Sequence, residues 1–163
     1  LAQCLDKHYI VFMFEISVKS HFSSAHRLKG YDGACSNLHG HNWEVEVFLR
    51  GTRTNPIGML VDFGKIKSAV RGALNKLDHK DLNSLPAFIV NNPTSENLAK
   101  HIFHALSELF RGESFSVRRV WVSESPGTSA CYWEDGAEDD KAVRRKKSKG
   151  RAGSFHGYSS SGL

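Results

Sequence analysis

Cysteine is scarce in this 163-residue chain: Cys4, Cys35 and Cys131 are the full set, and none forms a C-x-x-C pair. So low and odd a count excludes a disulfide framework and a zinc ribbon, and it suits a reducing, cytoplasmic setting. Long apolar runs are missing too. The longest, Tyr9 to Phe14, falls far short of the ~20 residues that a membrane-spanning helix needs. The opening Leu1-Ala2-Gln3-Cys4 resembles a lipoprotein box, but no basic and apolar signal segment precedes it, so lipidation is not expected. Residues 1–12 are read as an extension outside the fold, with Met13 as the natural start. What remains is ordinary for one soluble globular domain, with 40% apolar and 24% charged residues. A chain of this length builds a core without disulfides or metal, so any metal site must be explained by chemistry.

The net charge of +5 raises the question of nucleic acid, and its distribution along the chain answers it. Residues 134–163 hold seven Lys/Arg and five Asp/Glu, leaving 15 basic and 12 acidic residues in the rest. After Trp133 come an acidic cluster, a basic cluster from Arg144 to Lys149, and Ser/Gly-rich sequence. This composition predicts a disordered, solvated tail, with polyanion binding as its secondary reading.

Phe14, Ile16 and Val18 alternate with polar residues and predict a strand over Met13–Ser20. Turn-forming residues fill 28–37, and from His39 the odd positions His39, His41, Trp43, Val45, Val47 and Leu49 predict a long second strand. Asp62 is placed to cap a helix with the stripe Phe63, Ile66, Val70, Ala73, Leu74 and Leu77. After a loop over 78–92, Pro93-Thr94 opens a second helix, with Leu98, Ile102, Ala105 and Leu109 on one face and Phe103, Leu106 and Phe110 beside it. Two short strands, 116–123 and 130–133, flank the turn Pro126-Gly127. The order β-β-α-α-β-β suits an α+β fold with helices packed on a sheet.

His39-Gly40-His41 puts two imidazoles on one face of a strand, about 6.6 Å apart along the rise. His26, just after the first strand, comes close to them if the two strands pair. Three neutral imidazoles suit Zn²⁺ and leave a fourth position for water or substrate; the alternative is three unconnected histidines. Cys35 lies four residues before His39, where it is either a fourth ligand closing the site or a thiolate base beside the metal. Asp78-His79 is either a catalytic pair or a polar helix-end loop. Glu124, in alternation with Val120 and Val122, is either solvent-exposed or a twin acceptor for the N–H pair of a guanine-like or pterin ring.

Several motifs in series carry a resemblance. Phe22-Ser23-Ser24-Ala25-His26-Arg27-Leu28, Cys35-Ser36-Asn37-Leu38-His39-Gly40-His41, Val61-Asp62-Phe63, Leu77-Asp78-His79-Lys80-Asp81-Leu82-Asn83, Pro93-Thr94-Ser95-Glu96-Asn97-Leu98-Ala99 and Ser123-Glu124-Ser125 resemble the 6-pyruvoyl-tetrahydropterin synthase superfamily. The likeness spans Met13 to Trp133. The short gap between Cys35 and His39 is most like the 6-carboxy-5,6,7,8-tetrahydropterin synthase branch, which serves queuosine (7-deazaguanine) biosynthesis.

The resemblance implies the tunnelling fold, a four-stranded antiparallel sheet with two helices on one face, assembled into an oligomeric barrel and commonly a homohexamer with sites between subunits. It implies a lyase that converts 7,8-dihydroneopterin triphosphate into 6-carboxy-5,6,7,8-tetrahydropterin, acetaldehyde and triphosphate. Zn²⁺ would sit on His26, His39 and His41, with Cys35 as base and with Asp78 and His79, from a neighbouring subunit, as proton relay. Glu124 would anchor the pterin ring and Thr94 would assist. The catalytic domain is then 13–133. A pyruvoyl-forming synthase is the enzymatic alternative, and a zinc-containing binding ring with a polyanion-binding tail is the non-enzyme one.

Overall fold

The computed structural model describes residues 13–134, so the expected N-terminal extension and residues 135–163 of the expected tail lie outside the described residues. Strand β1 runs Phe14–His26 and β2 runs His39–Gly51. They pair antiparallel without a slip, from Phe14 opposite Gly51 to His26 opposite His39. The first strand therefore extends well past the Ser20 end expected from sequence and includes His26. Alternation does continue beyond Ser20, through buried Phe22, Ser24 and His26. Two of these three inward residues are polar, so a hydropathy pattern ends before the strand does.

Helix α1, Phe63–Leu74, starts where expected, because the Asp62 carboxylate accepts a hydrogen bond from the Gly64 N–H at 2.6 Å. Helix α2 runs Ser95–Leu109 and has Thr94 as its N-cap, the hydroxyl accepting from the Asn97 N–H at 3.3 Å. Strands β3, Phe115–Ser125, and β4, Thr128–Tyr132, follow, joined through Gly127 at φ 87°, a left-handed conformation natural to glycine. The sheet order is β1-β2-β3-β4, all antiparallel, with α1 against β1 and α2 against β3 and β4.

The core lies between helices and sheet. Ile66, Val70 and Leu74 of α1 and Leu98, Ala99, Ile102, Phe103 and Leu106 of α2 meet Trp43, Val45, Val47 and Leu49 of β2. Three residues expected on the apolar stripes face outward: Phe63, Ala105 and Leu109 are exposed. In α2 the buried arc centres on Leu98, Ile102 and Leu106, which leaves Ala105 and Leu109 on its flank. Phe63 occupies the first helical position, a turn ahead of the buried 66-70-74 row. Among the described residues no helix is long and apolar enough to cross a membrane.

The loop expected over 78–92 contains two 3-10 turns, Leu82–Ser84 and Pro86–Phe88, and sends Leu82 and Phe88 into the core. It also covers the end of the edge strand β1. Four alternate backbone N–H groups find acceptors there: Ser23 in the Asp78 carboxylate, Ala25 in the Lys80 carbonyl, Arg27 in the Asn83 side chain and Lys29 in the Asn92 side chain, at 2.8–3.0 Å. A strand edge left open presents a row of unpaired polar groups. Here the chain itself satisfies them and continues the order of β1 toward Lys29.

Candidate active site

The β1–β2 register brings the three predicted ligands together. His26 and His39 are cross-strand partners, and His41 follows two residues along the same face, opposite Ser24. Ring centroids are 4.5 Å apart for His26–His39, 5.2 Å for His26–His41 and 4.9 Å for His39–His41. One nitrogen from each imidazole lies within 4.8 Å of the other two. Below them is Trp43, fully buried, edge-on to His26 at 5.0 Å and to His41 at 5.3 Å, and stacked at 5.9 Å on Phe22.

Each ring is oriented by a backbone carbonyl. His26 Nδ1 lies 2.8 Å from the Pro93 oxygen, and His39 Nδ1 lies 2.7 Å from the Asn37 oxygen. His41 hydrogen-bonds the backbone of Glu124. A carbonyl only accepts, so each ring carries its proton on the nitrogen facing that carbonyl and has a lone pair on the other. In His26 and His41 the other nitrogen, Nε2, is buried without a hydrogen-bond partner. Buried polar atoms are rarely left so. Two orphaned lone pairs beside a third imidazole, with the outer nitrogens tied to carbonyls, form a donor set that could hold a metal ion.

The electrostatics fit the same ion. Burial pushes the His26 and His41 imidazoles below their ordinary value, and the neighbouring rings add to this. The Pro93 carbonyl opposes the shift at His26, and the nearby Glu124 carboxylate opposes it at both. Neutral imidazoles are the ligating form, so the site favours a cation over protons.

Glu124 therefore stands beside the triad rather than apart from it, at the half-buried end of the inward row of β3. Asp78 and His79 form a pair, with Asp78 Oδ2 2.9 Å from His79 Nδ1. Asp78 also accepts from the Ser23 N–H; that bond, and then His79, hold its carboxyl below the usual range. His79 has φ 53°, an uncommon conformation for a non-glycine residue, and its N–H is fixed on the Ser23 carbonyl at 2.6 Å. His79 borders an open groove of about 520 Å³, lined also by Ser23, His41, Asn42 and Lys80.

Two expected site residues lie outside the cluster of imidazoles. Cys35 sits half-buried in the 3-10 turn Ala34–Ser36 and is not part of the ligand group, so the described residues assemble three ligands and not a closed set of four. Thr94 is committed to capping α2. Sequence reasoning missed Pro93 and Asn37 as ring-orienting residues and Trp43 as the floor. Trp43 at an inward position of β2 was the available signal; the carbonyls had none, since every residue carries one.

The described residues match known proteins over this region. Residues 15–135 match the family model of 6-pyruvoyl tetrahydropterin synthase. The 6-carboxy-5,6,7,8-tetrahydropterin synthase of Rickettsia bellii is 29% identical over 140 residues, which cover 75% of this chain and 99% of the relative. A putative 6-carboxy-5,6,7,8-tetrahydropterin synthase of Archaeoglobus fulgidus is 37% identical over 110 residues, covering 68% of this chain and 87% of the relative. In three dimensions the Caenorhabditis elegans 6-pyruvoyl tetrahydropterin synthase superposes with a TM-score of 0.69 at 28% identity, over 78% of this chain and all of that one.

Proposed function

Because this chain belongs to the 6-pyruvoyl tetrahydropterin synthase family of enzymes, we propose that it converts 7,8-dihydroneopterin triphosphate and one water into 6-carboxy-5,6,7,8-tetrahydropterin, acetaldehyde and triphosphate. The proposal assigns it to 7-deazaguanine (queuosine) biosynthesis, as a cytoplasmic homohexamer whose catalytic domain is 13–133. One observation carries the reading: three imidazoles with their outer nitrogens on carbonyls turn their lone pairs together beside the Glu124 carboxylate. Such a site offers a Lewis-acid position next to a ring anchor, which a pterin bearing hydroxyls on its side chain needs.

His26, His39 and His41 would hold Zn²⁺, which when bound polarises and acidifies hydroxyls of the substrate side chain. Glu124 accepts two N–H bonds from the pterin edge, a match of twin acceptors to twin donors. Cys35 acts as the base on the side chain. Its position on the loop leading into His39 supports this, and so does the completeness of the ligand set without it. Asp78 holds His79 through Nδ1, so that Nε2 is left to exchange protons with the substrate. In the assembly that the family resemblance implies, this pair serves a site across a subunit boundary. Thr94, whose hydroxyl caps α2, assists Glu124 in binding the substrate.

Incubation of zinc-loaded protein with 7,8-dihydroneopterin triphosphate, followed by mass spectrometry, tests the reaction. The expected products are the 6-carboxy pterin and acetaldehyde. A 6-pyruvoyl product without acetaldehyde would assign the chain to the other reaction of its family, and unchanged substrate would leave a binding ring.

A further inference from the structure

The segment that follows His26 is held in an unusual way. Asn83 accepts from the Arg27 N–H at 2.8 Å and donates from Nδ2 to the Arg27 carbonyl at 2.9 Å. Asn92 does the same to Lys29, accepting at 2.8 Å and donating at 2.9 Å. Each side-chain amide thus takes both polar groups of one residue, as a neighbouring strand would. Leu28, between the two clamped residues, donates its N–H to the Cys35 carbonyl at 2.8 Å.

Both amides are themselves anchored. Asn83 is buried and its N–H bonds the Asp81 carboxylate. The Asn92 carbonyl accepts from the Thr94 N–H and from the Asn97 side chain in the first turn of α2. The next residue, Pro93, supplies the carbonyl that orients His26. A continuous path of hydrogen bonds therefore runs from the start of α2 and the 82–84 turn, through residues 27–29, to the backbone of Cys35.

We infer that Asn83 and Asn92 are positioning residues that set where Cys35 stands, by clamping Arg27 and Lys29 on either side of Leu28. The loop 27–38 has no regular structure beyond its one 3-10 turn, so this ladder, with Lys29 Nζ on the Ile89 carbonyl, ties its first half to the fold, as the Asn37–His39 contact ties its end. Reacting groups need placement finer than a loop of that kind supplies, and a displacement of about 1 Å is enough to slow chemistry up to 100-fold. The catalytic side of the inference rests on the reading of Cys35 as the base; the placement side does not.

The test measures iodoacetamide alkylation of Cys35 and Cys131 separately, by peptide mass spectrometry, on the zinc-loaded full chain and on Asn83→Ala, Asn92→Ala and Asn92→Asp. The expected result is a several-fold change in Cys35 rate, with Cys131 and zinc content unchanged. Asn92→Asp keeps the acceptor but loses the donor, so it should fall between. Turnover in the alanine variants should drop about tenfold in kcat with KM near the parent's, because ring anchoring lies elsewhere. A Cys35 rate within twofold of the parent overturns the clamp, as does an equal change at Cys131, which signals general loosening. If Asn83→Ala does not fold, the Asn92 pair decides. Should the chain lack synthase activity, the alkylation arm still reports on placement, so the two failures are distinguishable.

Discussion

His26 and His39 are partners across the β1–β2 ladder, with ring centroids 4.5 Å apart, yet they take their orientation from opposite directions. His39 is fixed by the Asn37 carbonyl two residues away, and His26 by the Pro93 carbonyl 67 residues away. A local contact and a long-range one thus meet at one imidazole cluster.

One zinc per chain is the expected stoichiometry. Replacing His39 by alanine leaves two ligands, and metal affinity should fall by more than the roughly 10- to 100-fold typical of losing an orienting partner alone. Metal analysis after dialysis reads the effect. Full zinc retention by His39→Ala would refute the assignment.

Acid should destabilise the metal-free protein in a defined window. In the folded state burial holds the His26 and His41 pKa values below 6.5, whereas the unfolded chain takes up protons at the ordinary value. Unfolded protein thus binds more protons in between, so stability is full above about pH 6.5 and is lost as pH falls through the folded-state values. Urea midpoints of the metal-free protein should decline from pH 7.5 to 5. Zinc release should accompany the decline in the loaded protein, since protons and metal compete for the same lone pairs. A flat profile would show that these rings are not held neutral.

Cys35→Ala should keep zinc while losing about 100-fold or more in turnover, the scale of a general base. His79→Ala should behave alike. If the two groups serve one site from different subunits, oligomers reassembled from an equal mixture of the variants should regain about a quarter of parent activity, the chance that an intact Cys35 meets an intact His79 at one interface. No recovery would place both groups in the same chain's site.

Trp43 joins core and site, so Trp43→Ala should cost about 3–5 kcal/mol in denaturant unfolding and also loosen zinc. Trp43→Phe preserves the contact with Phe22 and should cost less. A loss under about 1 kcal/mol for the alanine variant would mean that the floor of the site is not packed as described.

Elements whose cause is local were legible in the sequence. Asp62 and Thr94 marked helix starts because a cap bonds within three residues. Likewise His39-Gly40-His41 marked one face of a strand, because side chains alternate there by geometry alone. The family motifs added the fold and the roles proposed for Glu124, Cys35, Asp78 and His79. Other features depended on chain segments far apart in sequence. The last turns of β1 were hidden because Ser24 and His26, buried by neighbours that come later in the chain, look like surface residues when read one by one. Spacing alone left Cys35 as either ligand or base, and only the β1–β2 register shows which side chains converge: three imidazoles, with Cys35 outside their group. Likewise no pattern in residues 83 and 92 announces a clamp on 27 and 29: an asparagine amide bonds whatever backbone is brought to it, and only the tertiary fold decides which.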